Sequence, residues 1–210
     1  MPEGYPNESI PFIIRGKVSA ILGTYWALGY FTLGAWKRSG RTFDPSISLD
    51  RLIPFVGWGV WIYLFGILWI ALPAVTINTP GLFRQISVSY FSIINFAFLC
   101  FFLFPTEVVS LRRDVSTAHL DCVTAWSIHK LHLFDPSTNL LPSLHVSLAT
   151  VATLALARQY PVWRVSSFAV LIAIIVSVCI SKQHTIVDAI AGVIVALTVF
   201  GITTRLKVYQ

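Results

Sequence analysis

Charged residues are scarce in this sequence, and cysteines are few. Lys, Arg, Asp and Glu make up 11% of the 210 residues, whereas an ordinary soluble domain carries about 25%. The three cysteines are Cys100, Cys122 and Cys179, and no pair of them has the spacing of a zinc site. The sequence therefore indicates neither disulfides nor zinc, and its composition excludes an ordinary soluble domain.

Apolar residues dominate the chain instead. They make up 56% of it and form six runs, at about residues 18–36, 52–75, 86–104, 143–158, 163–180 and 185–204. A helix that spans a bilayer needs about 20 apolar residues, so each run predicts a transmembrane helix, although the fourth is somewhat short. We predict an all-α integral membrane protein, with an N-terminal tail at residues 1–17 and a single six-span domain at residues 18–207.

Basic side chains flank the apolar runs and give the chain a net charge of +6. This placement fits lipid headgroups or an anionic substrate rather than nucleic acid. The basic residues are divided almost evenly between the two membrane faces, so the positive-inside rule does not decide the orientation. The long loop after the third run holds basic residues that an anion would bind. If these residues are left out of the count, the remaining basic residues favour cytoplasmic termini.

The loop between the third and fourth runs mixes apolar and polar residues. Residues 115–134 carry this mixed pattern, which predicts one or two helices lying in the membrane interface. Asp135-Pro136-Ser137 follows directly and predicts the end of the helical segment.

Two histidines and one aspartate lie where the last apolar runs begin. His145 and His184 are 39 residues apart, which is enough for two membrane crossings, so both return to one membrane face. Asp188 follows His184 by four residues and lies on the same face of a helix. The spacing predicts two imidazoles and one carboxylate at a single interfacial site.

Helix N-termini at this face suit a phosphate group. Ser143 and Thr185 stand at helix starts, where backbone N–H groups lack partners and the helix dipole is positive. Lys182 and either Arg112 or Arg113 would add positive charge. One neutral imidazole could attack phosphorus while the other, protonated, gives a proton to the leaving oxygen. This chemistry requires no metal or other cofactor.

These motifs resemble a known family. Pro142-Ser143-Leu144-His145, followed by His184-x-x-x-Asp188 and Gly192, resembles the type 2 phosphatidic acid phosphatase superfamily. More narrowly, the chain is similar to the branch that contains inositol-phosphoceramide synthases and sphingomyelin synthases. Further similar stretches, from about residue 45 onwards, are Asp50-Arg51-Leu52-Ile53-Pro54-Phe55, Phe104-Pro105-Thr106, and Asp135-Pro136 with Asn139.

The resemblance implies a six-helix fold, a site that faces away from the cytoplasm and a lipid-linked phosphate substrate. It also implies that His184 forms a phosphohistidine, that His145 is the acid and base, and that Asp188 orients His184. We predict further phosphate-binding roles for Ser143, Lys182, Arg112 and Arg113.

The chain also departs from the family pattern. The usual Lys-x6-Arg-Pro motif is absent, with Arg112-Arg113-Asp114 as its candidate replacement. Ser177-Val178 stands where a Ser-Arg pair is usual, so Lys182 would supply that charge from another position. Leu144 replaces the usual Gly, as it does in the synthase-like branch.

The motifs leave the reaction open. Water as the second reactant makes the protein a lipid phosphatase, and an alcohol or lipid hydroxyl makes it a phosphotransferase. The short chain, without an extra acceptor-binding domain, favours the phosphatase. A non-catalytic lipid binder or transporter is a third hypothesis, against which the lack of internal repeats argues. We expect an integral protein of the cell (inner) membrane whose partners are the bilayer and a lipid phosphate.

Overall fold

The computed structural model describes residues 9–35, 42–108, 111–112, 115, 119–135 and 138–206. Within these residues the regular structure is helical, and no strand forms beyond two isolated bridges. The helices are α1 (Phe12–Ala35), α2 (Ser48–Leu52), α3 (Gly59–Thr76), α4 (Pro80–Leu103), α5 (Cys122–Phe134), α6 (Leu144–Gln159), α7 (Arg164–Ile180) and α8 (Ile186–Arg205), with a 3₁₀ turn at Pro161–Trp163 before α7. The all-α prediction is confirmed.

Among the described residues, four stretches are long and apolar enough to cross a membrane. They are Gly59–Thr76, Pro80–Leu103, Pro161–Ile180 and Ile186–Arg205. Helix α6 has only 16 residues, and the Gly, Thr and Tyr residues of α1 lower the hydropathy of that helix. Four membrane-crossing helices are therefore supported, and the remaining two predicted spans stay a prediction.

The six long helices run alternately up and down, and three contacts fix their ends. The N–H of Ile10, just before α1, donates to the carbonyl of Asn78, just after α3. The N–H of Val56, before α3, donates to the carbonyl of Ile180 at the end of α7. The N–H of Ser143 donates to the carbonyl of Asp188, which joins the starts of α6 and α8 at one end of the bundle, here called the site end.

Helix α6 is the central helix. It contacts α3, α4, α7 and α8, and most of its side chains are buried. Ala149, Ala152 and Ala155 are fully buried, and their small side chains allow close approach by the neighbouring helices. The polar residues at the start of α6 are consequently surrounded by protein rather than by lipid.

Three helices begin at positions other than those predicted, and one of them is α4, which begins at Pro80 rather than at residue 86. Helix α1 begins at Phe12 rather than at residue 18, because Arg15 is satisfied inside the bundle. Its guanidinium donates to the carbonyls of Ala74, Val75 and Ile77 at distances of 3.2, 2.9 and 3.2 Å. Helix α3 begins only at Gly59, since the short helix α2 and a loop occupy the preceding residues.

The predicted interfacial segment contains helix α5, at its C-terminal part. Asp121 caps this helix by accepting from the N–H groups of Val123 and Thr124. Residues 116–118 of the predicted segment lie outside the described residues. The helix ends at Phe134, directly before Asp135, as the sequence indicated. Its location in a membrane interface stays a prediction.

Candidate active site

His184 and Asp188 meet at the start of α8. Thr185 is the N-cap residue, and a reciprocal pair of hydrogen bonds between Thr185 and Asp188 forms a capping box. The box directs the fully buried Asp188 carboxylate back towards the loop, where Oδ2 lies 3.7 Å from Nδ1 of His184. This distance is that of an ion pair and is longer than a hydrogen bond.

Within the described part of the chain, His184 and Asp188 each have one buried polar atom without a hydrogen-bond partner. Nδ1 of His184 and Oδ1 of Asp188 are buried and form no hydrogen bond within the described part of the chain. Hydrogen bonds of catalytic groups are often long without substrate and tighten in the complex. Because Nδ1 faces the carboxylate, Nε2 is the nitrogen of His184 that can face a substrate.

His145 lies in the first turn of α6, two residues after its cap, Ser143. Its imidazole stacks on the ring of Tyr63 in α3, with centroids 4.3 Å apart and planes 12° from parallel. Its Nε2 is buried against Gly66, where a Cβ atom would collide with it, and lacks a hydrogen-bond partner among the described residues. Helix α3 thus fixes the imidazole on one side.

One cavity of about 420 Å³ contacts both imidazoles. Asp135, Asn139, Tyr30 and Tyr63 also line it at the site end, and apolar residues of α1, α3 and α4 line the rest. The predicted convergence of the two histidines on one space is therefore present. A phosphorylated molecule in this cavity would have its phosphate at the histidines and its apolar part between the helices.

Asp135 lies at the centre of a polar cluster beside the histidines. Its carboxylate accepts from the hydroxyl of Tyr30 at 2.5 Å and from that of Tyr63 at 3.1 Å. Arg112 approaches the same carboxylate to 3.9 Å and donates to the Asp135 backbone carbonyl at 2.8 Å. The cluster joins α1, α3 and the end of α5 and, through the Tyr63 ring, supports His145.

Arg112 is near the site but has protein partners. In addition to Asp135, its guanidinium donates to Oε1 of Gln183 at 3.0 Å, in the residue that precedes His184. Its Nε is buried without a hydrogen-bond partner in the described part of the chain. Arg113, the other predicted arginine, lies outside the described residues.

Lys182 lies next to His184 in sequence but does not line the cavity. Its ammonium donates to the backbone carbonyls of Asp50 and Ile53, at 2.7 and 2.5 Å. Its backbone has a φ of 58°, which directs the chain into the turn before α8. In this structure Lys182 joins α2 to the loop that carries the histidine.

The helix N-termini are also occupied by groups of the protein. Ser143 is fully buried and accepts from the N–H of Val146 through its hydroxyl. Asp50 accepts from the N–H of Ile186 at 2.8 Å, in the first turn of α8. Of the predicted phosphate-binding residues that the structure describes, Ser143, Lys182 and Arg112 lie near the histidines, but none of them lines the cavity.

Sequence reasoning did not identify Tyr63 or Asp135 as site residues. Asp135 was read as a helix terminator, and Tyr63 is one of many aromatic residues of an apolar run. Two signals pointed to Asp135: Asp135-Pro136 is one of the stretches that resemble the synthase-like branch, and a carboxylate at membrane depth requires a partner. Among the described residues, no group of three or more His, Cys, Asp or Glu side chains could hold a metal ion.

Two comparisons with known proteins bear on this site. No curated protein matches the chain. A family model described as the PAP2 superfamily matches residues 55–202, which include His145, His184 and Asp188. The match covers more than half of the sequence and runs from the start of α3 nearly to the end of α8. The chain therefore belongs to the PAP2 superfamily.

Proposed function

We propose that the protein is a membrane lipid phosphatase that works through a phosphohistidine on His184. Membership of the PAP2 superfamily supports phosphatase-type activity on phosphate esters. The observation that carries the finer proposal is that His145 and His184 contact one cavity whose remainder is apolar. A phosphate ester on a hydrocarbon chain matches both parts of this cavity.

In the first step Nε2 of His184 attacks phosphorus and forms a nitrogen–phosphorus bond. The bond from phosphorus to the lipid oxygen breaks, and that oxygen takes a proton from the protonated imidazole of His145. Asp188 stabilises the positive charge that develops on the His184 ring and fixes its tautomer.

In the second step the roles of the imidazoles reverse. Neutral His145 accepts a proton from a water molecule, whose oxygen forms a bond to phosphorus. The nitrogen–phosphorus bond then breaks, which releases inorganic phosphate and restores His184 and protonated His145. We propose that no metal takes part. Arg112 and Arg113 would stabilise the phosphate charge from the site end, with Ser143 and Lys182 holding the loops that carry the histidines.

The proposal includes a placement in the membrane. The six long helices would all cross the bilayer, as one domain over residues 18–207, and α5 would lie in the interface beside the cavity. The site would face away from the cytoplasm in the cell (inner) membrane. The alternating directions of the six helices support the crossings and the place of α5, because they put His145, His184 and α5 at the same end of the bundle.

A phosphotransferase is the second candidate, and the Asp135 cluster favours it. A carboxylate next to the histidines could bind the hydroxyl group of an acceptor alcohol, which would replace water in the second step. This would place the chain with the inositol-phosphoceramide and sphingomyelin synthases within the superfamily.

The test is phosphate release from purified protein in lipid nanodiscs with EDTA present. The substrates are phosphatidic acid, phosphatidylglycerol phosphate and a polyprenyl diphosphate, each with and without an added alcohol. We expect release by the wild type and by His129→Ala, a matched control because His129 is exposed and does not line the cavity. We expect none above background from His184→Ala.

Each outcome separates two hypotheses. Phosphoryl transfer that requires the added alcohol would favour the transferase. Release by His184→Ala at the wild-type rate would contradict the phosphohistidine mechanism. Absence of turnover under every condition would favour a non-catalytic lipid binder or transporter, and loss of turnover with EDTA alone would contradict metal independence.

A further inference from the structure

The cavity extends far beyond the two histidines. Its lining runs along α1 from Phe31 to Ser19, and along matching stretches of α3 and α4. At about 1.5 Å per helical residue, the stretch of α1 alone is about 18 Å long. The cavity thus reaches from the site end across more than half of a hydrocarbon layer about 30 Å thick.

The cavity is lined by one face of each helix. On α1 the lining positions are 19, 22, 23, 26, 30 and 31, and their recurrence every three or four residues marks one face of the helix. Polar side chains concentrate at the site end, where Asp135 and Asn139 lie with the histidines. Deeper in the cavity the hydroxyls of Ser87 and Tyr90 are already used, because they donate to the carbonyls of Phe83 and Ile70. Apart from the hydroxyl of Ser19, the deep part therefore offers apolar contact.

The length of the cavity sets a limit for an extended hydrocarbon chain. With carbon–carbon bonds of about 1.5 Å in zigzag, about 14 bonds fit along this length.

A buried arginine lies just beyond the deep end of the cavity. Arg15 lies one turn of α1 beyond Ser19, is buried, and is held by three carbonyls at the C-terminal end of α3. A hydrocarbon chain that reaches this level meets a charged, immobilised side chain. The end of the cavity is therefore a defined limit.

We infer that the cavity takes up hydrocarbon chain of the phosphate substrate inside the bundle and limits the length of that chain. This rests on the proposed function, because it assigns the phosphate to the histidines. Lipid tails are as apolar as the cavity wall, so a methylene group gains little by leaving the bilayer for the cavity. Selection by length is accordingly steric, and chains longer than the cavity are disfavoured.

Gly23 allows a direct test of this inference. It lines the deep half of the cavity, and a Cβ atom built on it meets nothing within 4 Å. Gly23→Leu would place a branched side chain in the cavity about 6 Å, or four residues of helix, before its deep end. Gly201→Leu is the matched control, because a Cβ at Gly201 in α8 also meets nothing within 4 Å and Gly201 does not line the cavity.

The experiment measures phosphate release from alkyl phosphates, from hexyl to octadecyl, at equal mole fraction in nanodiscs. For the wild type and Gly201→Leu we expect the rate to fall beyond about 14 carbons. For Gly23→Leu we expect the fall about four to five carbons earlier, with rates on the shortest chains within about two-fold of wild type. Equal loss at every chain length, or an unchanged profile, would overturn the inference.

A binding measurement separates this inference from the proposed function. Thermal stabilisation of His184→Ala by the same alkyl phosphates needs no turnover. If the wild type releases no phosphate but stabilisation keeps its length limit, and Gly23→Leu shortens that limit, the proposed reaction fails and the length limit stands. If phosphate is released and stabilisation shows no dependence on chain length, the inference fails and the reaction stands.

Discussion

At the scale of single residues, the position of the His145 imidazole depends on Gly66, which has no side chain. Gly66 leaves room for the imidazole, because a Cβ atom at this position would collide with Nε2 of His145. On the other contact, the ring of Tyr63 stacks on the imidazole. The position of a catalytic group matters strongly, since a displacement of about 1 Å can lower a rate by about 100-fold.

Gly66→Ala should therefore abolish most activity with little effect on the fold. The added methyl group displaces the imidazole of His145, and we expect phosphate release to fall about 100-fold. Overpacking costs about 1–3 kcal/mol, which the better helix propensity of Ala offsets by about 1 kcal/mol. The check is turnover beside thermal unfolding, with Gly201→Ala as the control. Full turnover by Gly66→Ala would show that His145 does not act from its present position.

The individual site residues were predictable from sequence to different degrees. The His–His–Asp set could be predicted because helical periodicity and the length of a membrane crossing are local rules. The partners of Lys182 and Arg112 could not, because they lie 132 and 71 residues away, at Asp50 and Gln183. Sequence spacing carries no information on which of several polar groups a basic side chain will reach.

At the scale of helices, the contact between α6 and α8 holds the two histidines together. A Cβ atom at Gly192 in α8 would lie 2.8 Å from the carbonyl oxygen of Ser143 and 3.2 Å from the hydroxyl of Ser147. The Ser147 hydroxyl also donates to the carbonyl of Gly192 at 3.0 Å. Close approach at this one position thus sets the distance between the two helix starts.

We predict that Gly192→Ala lowers stability and activity together. The nearest atom is backbone, which cannot rotate away, so the two helix starts must separate at a cost of about 1–3 kcal/mol. The measurement is the midpoint of thermal unfolding in nanodiscs, read with phosphate release. Gly201→Ala, which meets open space, should leave both unchanged; equal behaviour of the two variants would contradict the packing argument.

Helix α5 carries a histidine that should make stability depend on pH. Burial lowers the pKa of His132 to about 4, the charges of Arg112 and His129 also lower it, and Asp135 acts in the opposite direction. Between pH 6.5 and about 4 the unfolded chain binds a proton at this site that the folded chain does not, so stability falls as the pH falls. Above pH 6.5 both states are neutral at this residue.

The corresponding prediction compares wild type with His132→Gln. The thermal midpoint of the wild type should drop between pH 6.5 and 4.5, and His132→Gln should show a smaller drop over the same interval. His119→Gln, an exposed histidine whose charge does not act on His132, serves as the control. Parallel curves for wild type and His132→Gln would place the acid sensitivity elsewhere.

Helix positions followed from the apolar runs, whereas helix boundaries did not. All six runs correspond to long helices, because continuous apolar stretches of this length have few alternatives in a membrane. The start of α1 was misplaced because Arg15 reads as an interfacial charge until its three carbonyl partners on α3 are known. The start of α3 was misplaced because the Leu52–Trp58 stretch is apolar yet not part of that helix.

At the scale of the whole molecule, the cavity is a property of the assembled bundle. The separate sequences of α1, α3 and α4 do not indicate that the facing sides of these helices leave a space. The composition therefore predicts a membrane protein, and the paired histidines predict a site. Only the packing of the helices shows that the site lies at one end of an elongated cavity.

The proposed orientation can be tested through the exposed Cys122 at the start of α5. With Cys100→Ala and Cys179→Ala as background, a membrane-impermeant maleimide should label Cys122 in intact cells without permeabilisation. The matched control is the same background with Cys122→Ser, which should remain unlabelled. Labelling only after permeabilisation would place the site end in the cytoplasm and contradict the proposed topology.

The account as a whole rests on a covalent bond between His184 and phosphorus, and rapid quenching with a radiolabelled lipid phosphate measures it directly. The account predicts a protein-bound label that is stable to base and lost in acid, as expected of a phosphohistidine. The label should be present in wild type and His129→Ala and missing in His184→Ala. Turnover by the wild type with no such label, or an equal label in His184→Ala, would contradict it.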